Sequence, residues 1–538
     1  MYSHHQDRII RTQNEKEELV ISQEELITHP VLQNNKDLVN FLQNSPFSIQ
    51  NLQFSHDHRF IAISFPTVHS LGLIVKDMNT GMTGFFVENI DSFVVFDNLY
   101  GLFYVEKDRD TGKGRKVWRK DFGKEKTEDE KILEDTRLNI AGEPSVFSEL
   151  IYEEADRSYS VEVLQSLSSE YVLLKSDNLS FDPLRIATEF RFRASNRSEG
   201  NFLIIQERKE GRNYEVKHQG QYFYLLVSSP EEYNGKVLRL EIPPLSSYVP
   251  PEGPIVYADT KDLQSDFLGA QVFRPHSAQV YIEHIEAYKD HLISILIDTE
   301  NSMQHIQVDN FSTGSTDIVA YDKYEGALKV ANNKSYRIKL DQTEQDYYSG
   351  SFNYVLSTLH SPDQQIGYDL HTRANEVLRT VYDVPGVRLQ DYTSERIVLP
   401  ANDGVLIPVT LIYHKKNVKT GDKAAAIIES YGGDIENSHN FQLNYSWFSI
   451  LDRGFIWAIP HVRGSFDVNR TWYDQGTGVN KIRHFQDLLD VIVSLFSEKI
   501  VSSASGYSVV PSGGLAFAAL FLREPELLSC AVLRVMII

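Results

Sequence analysis

Between about residue 8 and about residue 379 the apolar positions fall in short runs broken by turn residues. Ile61-Ala62-Ile63-Ser64-Phe65 is one run, and Leu73-Ile74-Val75-Lys76-Asp77 is another that leads to a turn at Asn79-Thr80-Gly81. Gly101-Leu102-Phe103-Tyr104-Val105 precedes a turn at Asp110-Thr111-Gly112. Tyr222-Phe223-Tyr224-Leu225-Leu226-Val227 follows one at Gln219-Gly220, and His291-Leu292-Ile293-Ser294-Ile295-Leu296 repeats the theme. Evenly spaced runs of this length, rich in Tyr and Phe, predict the strands of a β-propeller or of another large all-β array.

Near Asp383-Val384-Pro385-Gly386 the texture changes. Val405 to Tyr413, Ala424 to Ile428 and Phe455 to Pro460 read as strands, the last as a buried run. From His484 to Phe496 the apolar residues Phe485, Leu488, Leu489, Ile492, Leu495 and Phe496 recur at helical spacing. Tyr507-Ser508-Val509-Val510 reads as a further strand, with a helix over Leu515 to Leu522. Strands alternating with helices predict a parallel α/β sheet. The pattern thus divides the chain into an all-β part, residues 1–380, and an α/β part, residues 381–538.

Charge and composition narrow the partners. Asp and Glu total 74 against 53 Lys and Arg, a formal charge of -21. That argues against nucleic acid as the main partner, because phosphate contacts need surplus cations. The lone cysteine, Cys530, excludes an internal disulfide and fits a reducing compartment. Met1 to Glu15 is polar with no apolar signal core, and no apolar run is long enough to span a bilayer, so the expected location is cytoplasmic.

The candidate chemistry lies in the last third. A strand, a Gly-Gly turn at Gly513-Gly514 and an apolar helix make the frame of a nucleophile elbow. Upstream, Glu429-Ser430-Tyr431-Gly432-Gly433 follows a strand, in the place of an oxyanion-hole loop. Then come Leu451-Asp452-Arg453-Gly454-Phe455, His461-Val462-Arg463-Gly464, Trp472-Tyr473-Asp474-Gln475-Gly476, Phe485-Gln486-Asp487 and Glu524-Pro525-Glu526-Leu527, with Asn402-Asp403-Gly404 before them. Segments of this kind in this order resemble the prolyl oligopeptidase family of serine peptidases, in its oligopeptidase B and prolyl endopeptidase-like branch. The propeller half matches more weakly, through Val75-Lys76-Asp77 to Gly81 and Tyr214-Glu215-Val216-Lys217-His218. The resemblance implies an α/β-hydrolase domain capped by a seven-bladed propeller that admits short peptides. It also implies acyl transfer, cutting after proline or basic residues, by a serine whose proton passes to a histidine oriented by an aspartate. No cofactor is implied.

The chain departs from that pattern at the elbow. The family carries Gly-x-Ser-x-Gly-Gly, whereas this sequence reads Val509-Val510-Pro511-Ser512-Gly513-Gly514. Anchored on the two glycines, the nucleophile position is Pro511, which has no hydroxyl and a ring-fixed φ. Val509 stands where the family has a glycine. Ser512 is one residue too late and Ser508 falls in the predicted strand, so both read as structural serines. By the resemblance, Tyr431 and the backbone N–H of Ser512 are the oxyanion-hole positions, while the acid and the histidine would follow the elbow at a distance, past Ile538. The expected sheet ends near Ala531-Val532-Leu533 with a hydrophobic edge. These readings make the chain a catalytically incompetent family member: an incomplete form of a peptidase, or a pseudoenzyme that binds peptides or protein partners through its propeller. A family esterase or thioesterase would need the same missing nucleophile.

Other candidates read as structure. Asp108, Asp110 and Gly112 suit a hairpin turn better than a calcium loop, since the closing glutamate is missing. His284 and His291 lack zinc-site spacing and read as strand histidines. The mixed charge run Lys113 to Lys126 reads as a solvated loop.

Overall fold

The computed structural model describes residues 2–533 apart from 6–7, 14–15, 25–35, 45–47, 69, 82, 123–147, 179, 181–184, 198–201, 243–254, 257–266, 268, 301, 320–335, 342–344, 361, 381–385, 419–423, 431–443 and 509–510. The chain divides into two compact units. One holds Met1–Phe223 with Leu240–Ala270, the other Tyr224–Arg239 with Gln271–Ile538.

In the first unit the strands Tyr2–His5, Arg8–Gln13 and Lys16–Ser22 form, among the described residues, a three-stranded sheet of their own. The strand pattern read from the sequence starts only at about residue 8, and alternation does not say which sheet a strand joins. A helix at Lys36–Asn44, absent from the sequence reading, buries Leu38 and Leu42 against Ile61, Ile63, Phe65 and Ile74. The two leucines are four apart and so share a helix face. The main strand array starts at Asn51–Phe54 and runs as a seven-stranded antiparallel meander to Ser148–Glu153, with Ile255–Val256 added in parallel as the eighth strand. The long strand Thr83–Phe96 joins its halves, with a register shift between Ile90 and Val94. A four-stranded antiparallel sheet from Ser160–Gln165 to Leu203–Gln206 follows.

Two expectations are settled here. Asp108 Oδ1 accepts the backbone N–H groups of Asp110 and Thr111 at 3.0 and 2.9 Å, and Gly112 sits at φ 70°, so this is a hairpin turn. The Lys113 to Lys126 run is not a solvated loop over Gly114–Asp121, which is a strand, while residues 123–126 lie outside the described residues. Within that strand Arg119 is buried on Asp97 at 2.9 Å, and Lys120 is buried too. The charges misled because strand cations can reach buried carboxylates that lie distant in sequence.

The second unit contains two four-stranded antiparallel meanders, Val280–Ala287 to Thr316–Ile318 and Tyr336–Leu340 to Asn375–Thr380. Along Ser351–Thr358 burial alternates strictly, with Phe352, Tyr354, Leu356 and Thr358 inside. His284 and His291 lie on neighbouring strands, and His291 Nε2 is 2.9 Å from Asn310 Nδ2.

The rest of this unit is the α/β part. Its strands are β1 (Tyr392–Pro400), β2 (Leu406–His414), β3 (Ala424–Glu429), β4 (Ile456–Pro460), β5 (Val501–Ser508) and β6 (Ala531–Leu533). They form one sheet in the order β1-β2-β4-β3-β5-β6. β1 and β2 are antiparallel, and β4, β3, β5 and β6 run parallel to one another. Helices α1 (Tyr445–Leu451), α2 (Arg470–Asp474), α3 (Lys481–Ser497) and α4 (Pro511–Arg523) alternate with the strands. One face packs Leu488, Val491, Ile492 and Leu495 of α3 and Ala516, Phe517 and Leu520 of α4 against Val409, Leu411, Ile456 and Ala458. The other packs Trp447, Phe448 and Leu451 of α1 against Ile412, Trp457 and Ile459. Burial on both faces is why β4 reads as an unbroken apolar run.

Candidate active site

β3 and β5 lie side by side in parallel, so their carboxyl ends come together, with Ser430 N donating to Tyr507 O at 3.2 Å. Helix α4 then starts at Pro511, its first residue. Proline suits that place, since a first-turn residue needs no N–H and helical φ is already set. Gly513, two residues on, serves packing. A Cβ on Gly513 would lie 2.0 Å from Ser430 O and 2.5 Å from Ser508 Oγ. On the strand side a Cβ on Gly506 would meet the Phe517 ring at 2.6 Å, and Phe517 is fully buried. The strand and the helix on either side of the elbow are therefore present, packed through close approaches at Gly506 and Gly513 that a side chain would block. Ser508 is the last, buried residue of β5, as a structural serine should be. Ser512 is the second residue of α4, and Tyr431, with Gly432 and Gly433, lies outside the described residues.

The motifs that run in order along the sequence converge on one side chain, Arg463. Its Nε donates to Asp487 Oδ2 at 2.9 Å, its backbone N–H to the same oxygen at 3.0 Å, and its Nη1 to Asp403 Oδ2 at 2.6 Å. Asp487 comes from α3 and Asp403 from the turn between β1 and β2. Hydrogen bonding to Asp487 pushes the Arg463 pKa up, so the guanidinium stays charged. Behind it, Gly464 has φ 96° and Gly476 packs so closely that its Cβ would fall 2.1 Å from the Arg463 carbonyl carbon. His484 Nδ1 donates to Arg463 O at 3.1 Å, and burial lowers its pKa to about 3, so it is neutral. Asn469 caps α2 through Trp472 N at 2.8 Å and reaches Asn234 Oδ1 at 2.9 Å.

A second buried network escaped the sequence reading. Thr410 Oγ1 lies 2.8 Å from His461 Nε2, and His461 Nδ1 lies 2.7 Å from Asp467 Oδ2. The only sign of it in the sequence is Thr410, a polar residue inside an apolar strand. The connectivity is that of a hydroxyl–imidazole–carboxylate relay. Thr410 is 0% exposed and His461 1%, so a substrate carbonyl has no path to the hydroxyl and the network is part of the core. Glu429, the last residue of β3, is also buried. Its Oε2 accepts from Trp457 Nε1 at 2.7 Å, and burial raises its pKa to about 7. Among the described residues no three His, Cys, Asp or Glu side chains gather as a metal site would require.

The comparisons with known proteins match this layout. The sequence model described as "Prolyl oligopeptidase, N-terminal beta-propeller domain" matches residues 137–381, and that of the "Prolyl oligopeptidase family" matches residues 439–538. This chain belongs to the prolyl oligopeptidase family. It is 24% identical over 491 residues to dipeptidyl aminopeptidase BI of Pseudoxanthomonas mexicana, covering 89% of this chain and 58% of that relative. It is 30% identical over 199 residues to the prolyl endopeptidase of Elizabethkingia meningoseptica, 36% of this chain and 26% of that one. Among solved structures, oligopeptidase B of Leishmania major superposes with a TM-score of 0.72 at 18% identity, over 98% of this chain and 67% of that chain. Oligopeptidase B of Trypanosoma brucei, solved with covalently bound antipain, gives 0.73 at 17% identity over 99% and 68%. The chain thus spans about three fifths to two thirds of the length of relatives matched along most of it. The fold is a family β-propeller followed by an α/β-hydrolase-type sheet, and no described helix is long and apolar enough to cross a membrane.

Proposed function

We propose that this chain is a non-hydrolytic member of the prolyl oligopeptidase family that binds short peptides. The observation that supports it is Pro511. The position the family gives to its nucleophile holds a residue without a hydroxyl, and that residue begins a helix. Ser512 lies one residue past that position, within the helix, and Ser508 is buried at the end of a strand. The described histidines of the α/β part are engaged elsewhere: His461 with Thr410 and Asp467, His484 with Arg463 O, and His414 with Lys416 N at 3.2 Å. An ester or thioester substrate would need the same nucleophile. On this reading Tyr431 and the N–H of Ser512 keep their places as oxyanion-hole groups without an oxyanion to stabilise. The domain division at about residue 380 and a cytoplasmic location belong to the same proposal.

The experiment pairs two measurements on the purified chain. A fluorophosphonate probe should leave it unlabelled, and fluorogenic peptides with proline or basic residues should not turn over. Fluorescence anisotropy with the same peptides, labelled and uncut, should show saturable binding. Turnover that Ser512→Ala abolishes would sink the non-hydrolytic reading, and the absence of saturable binding would sink the peptide-binding one.

A further inference from the structure

In the first unit a short chain of polar groups links a turn of one sheet to a strand of another. The turn at 166–169 joins the strands Ser160–Gln165 and Tyr171–Asp177, and closes with Ser169 N donating to Ser166 O at 2.8 Å. His218 lies on the strand Asn213–Gln219, which belongs to a different sheet. Ser168 Oγ is 2.6 Å from His218 Nδ1, and this contact ties the turn to that strand. We propose that the contact is an acid-released fastener, which holds while the imidazole of His218 is neutral and lets the turn go when the ring becomes an imidazolium.

With a neutral ring the hydrogens of this chain have one arrangement. A backbone carbonyl only accepts, so His218 Nε2, 2.7 Å from Gly220 O, carries the ring hydrogen. Nδ1 is then an acceptor, and Ser168 Oγ donates to it. Ser166 Oγ, 2.9 Å from Ser168 Oγ, donates in turn to Ser168 and accepts Tyr171 N at 3.1 Å. Glu170 N also donates to Ser168 Oγ, at 3.3 Å. Both hydroxyl hydrogens therefore point toward the imidazole. A proton added at Nδ1 would meet the Ser168 hydrogen head-on. Both hydroxyls would have to reverse, and Ser166 would need an acceptor outside the chain. The added charge would also be enclosed. His218 is 1% exposed and Ser168 7%, and the ring packs edge-on against Tyr171 at 4.7 Å and Phe223 at 5.9 Å. Burial lowers the His218 pKa below the ordinary histidine value, against the opposing pull of Gly220 O and of Glu170, the charged group whose field reaches the ring from the turn. Tyr171 adds no charge, because burial raises its own pKa. A histidine whose pKa is lowered by docking holds fully above its free value of about 6.5 and loses its hold as pH falls below it.

The test is amide hydrogen exchange of the full chain, read by mass spectrometry on the segment from Ser166 to Asp177 at about pH 7.5 and about pH 5, with exchange times scaled for the chemical rate. The amides of Glu170 and Tyr171, which donate to the two serine hydroxyls, should be protected at the higher pH. Their protection should fall about tenfold for each pH unit below about 6.5, until the docked ring itself takes up a proton. The strand His291–Asp298 serves as the internal control and should not change. His218→Gln keeps one donor and one acceptor and cannot ionise, so its protection should be the same at both pH values. If that variant does not fold, Ser168→Ala decides instead: without the hydroxyl link the segment should exchange fast at both pH values. Equal protection at both pH values in the native chain, or an acid-induced loss that persists in the folded His218→Gln chain or in Ser168→Ala, would overturn the inference.

Discussion

Arg463 and Asp487 form a two-pronged, buried ion pair in which one carboxylate oxygen accepts both the side-chain Nε at 2.9 Å and the backbone N–H at 3.0 Å of the same arginine. The pair ties the loop after β4 to helix α3. Their side chains are 4% and 0% exposed. Breaking one partner of such a pair costs more than the pair contributes, because it strands a buried charge.

Asp487→Asn should therefore destabilise the chain by about 3–5 kcal/mol. Asp403, also bound to Arg463, has a side chain 42% exposed, and Asp403→Asn should cost only about 0–1 kcal/mol. Urea unfolding of both variants measures the difference, and equal losses would show that the pair does not brace the loop as described.

Glu429 gives a pH dependence with a definite sign. Its folded-state pKa of about 7 lies above the usual carboxyl value, so the fold favours the protonated form. Stability is full below the unfolded pKa and is lost as pH rises toward 7, in total about 3 kcal/mol. Glu429→Gln keeps an acceptor for Trp457 Nε1 and cannot ionise. Its melting temperature should exceed that of the native chain at about pH 8, with the gap closing toward about pH 5. A gap that does not change with pH would contradict this account.

Gly513 has no room for a side chain. Gly513→Ala places a methyl 2.0 Å from Ser430 O, a backbone atom, so the start of α4 must move off β3. Overpacking of this kind typically costs about 1–3 kcal/mol. The variant should melt lower, while Gly350→Ala, with nothing within 4 Å of its Cβ, serves as the control.

Pro511→Ser should restore the family hydroxyl without restoring hydrolysis, because none of the described histidines of the α/β part is available to take its proton. Peptide turnover should stay at the level of the native chain. Turnover raised by this single change would reveal a base at the elbow.

The propeller-like strand runs, helix α3 and the parallel texture of the last third were legible because local periodicity reports which face of an element is buried. The Lys36–Asn44 helix was missed because, among its described side chains, two apolar residues, Leu38 and Leu42, anchor it. The loop reading of Lys113 to Lys126 failed because a charged residue reads as solvent-facing until its partner is known, and for Arg119 that partner, Asp97, is 22 residues away.

The site divides along the same line. The sequence by itself determined that position 511 carries no hydroxyl, since a side chain's functional groups are covalent and need no fold to be known. It also determined that two glycines follow, though not that Gly513 is pressed against Ser430. Only the tertiary structure decided that the family motifs meet at Arg463, whose two carboxylate partners lie 24 and 60 residues away. Only it decided that His461 serves Thr410 and Asp467 inside the core, and that Ser168 meets His218, 50 residues on. Through-space pairing and desolvation depend on distances the chain acquires only on folding, and those distances set which charged groups are paired and which are buried.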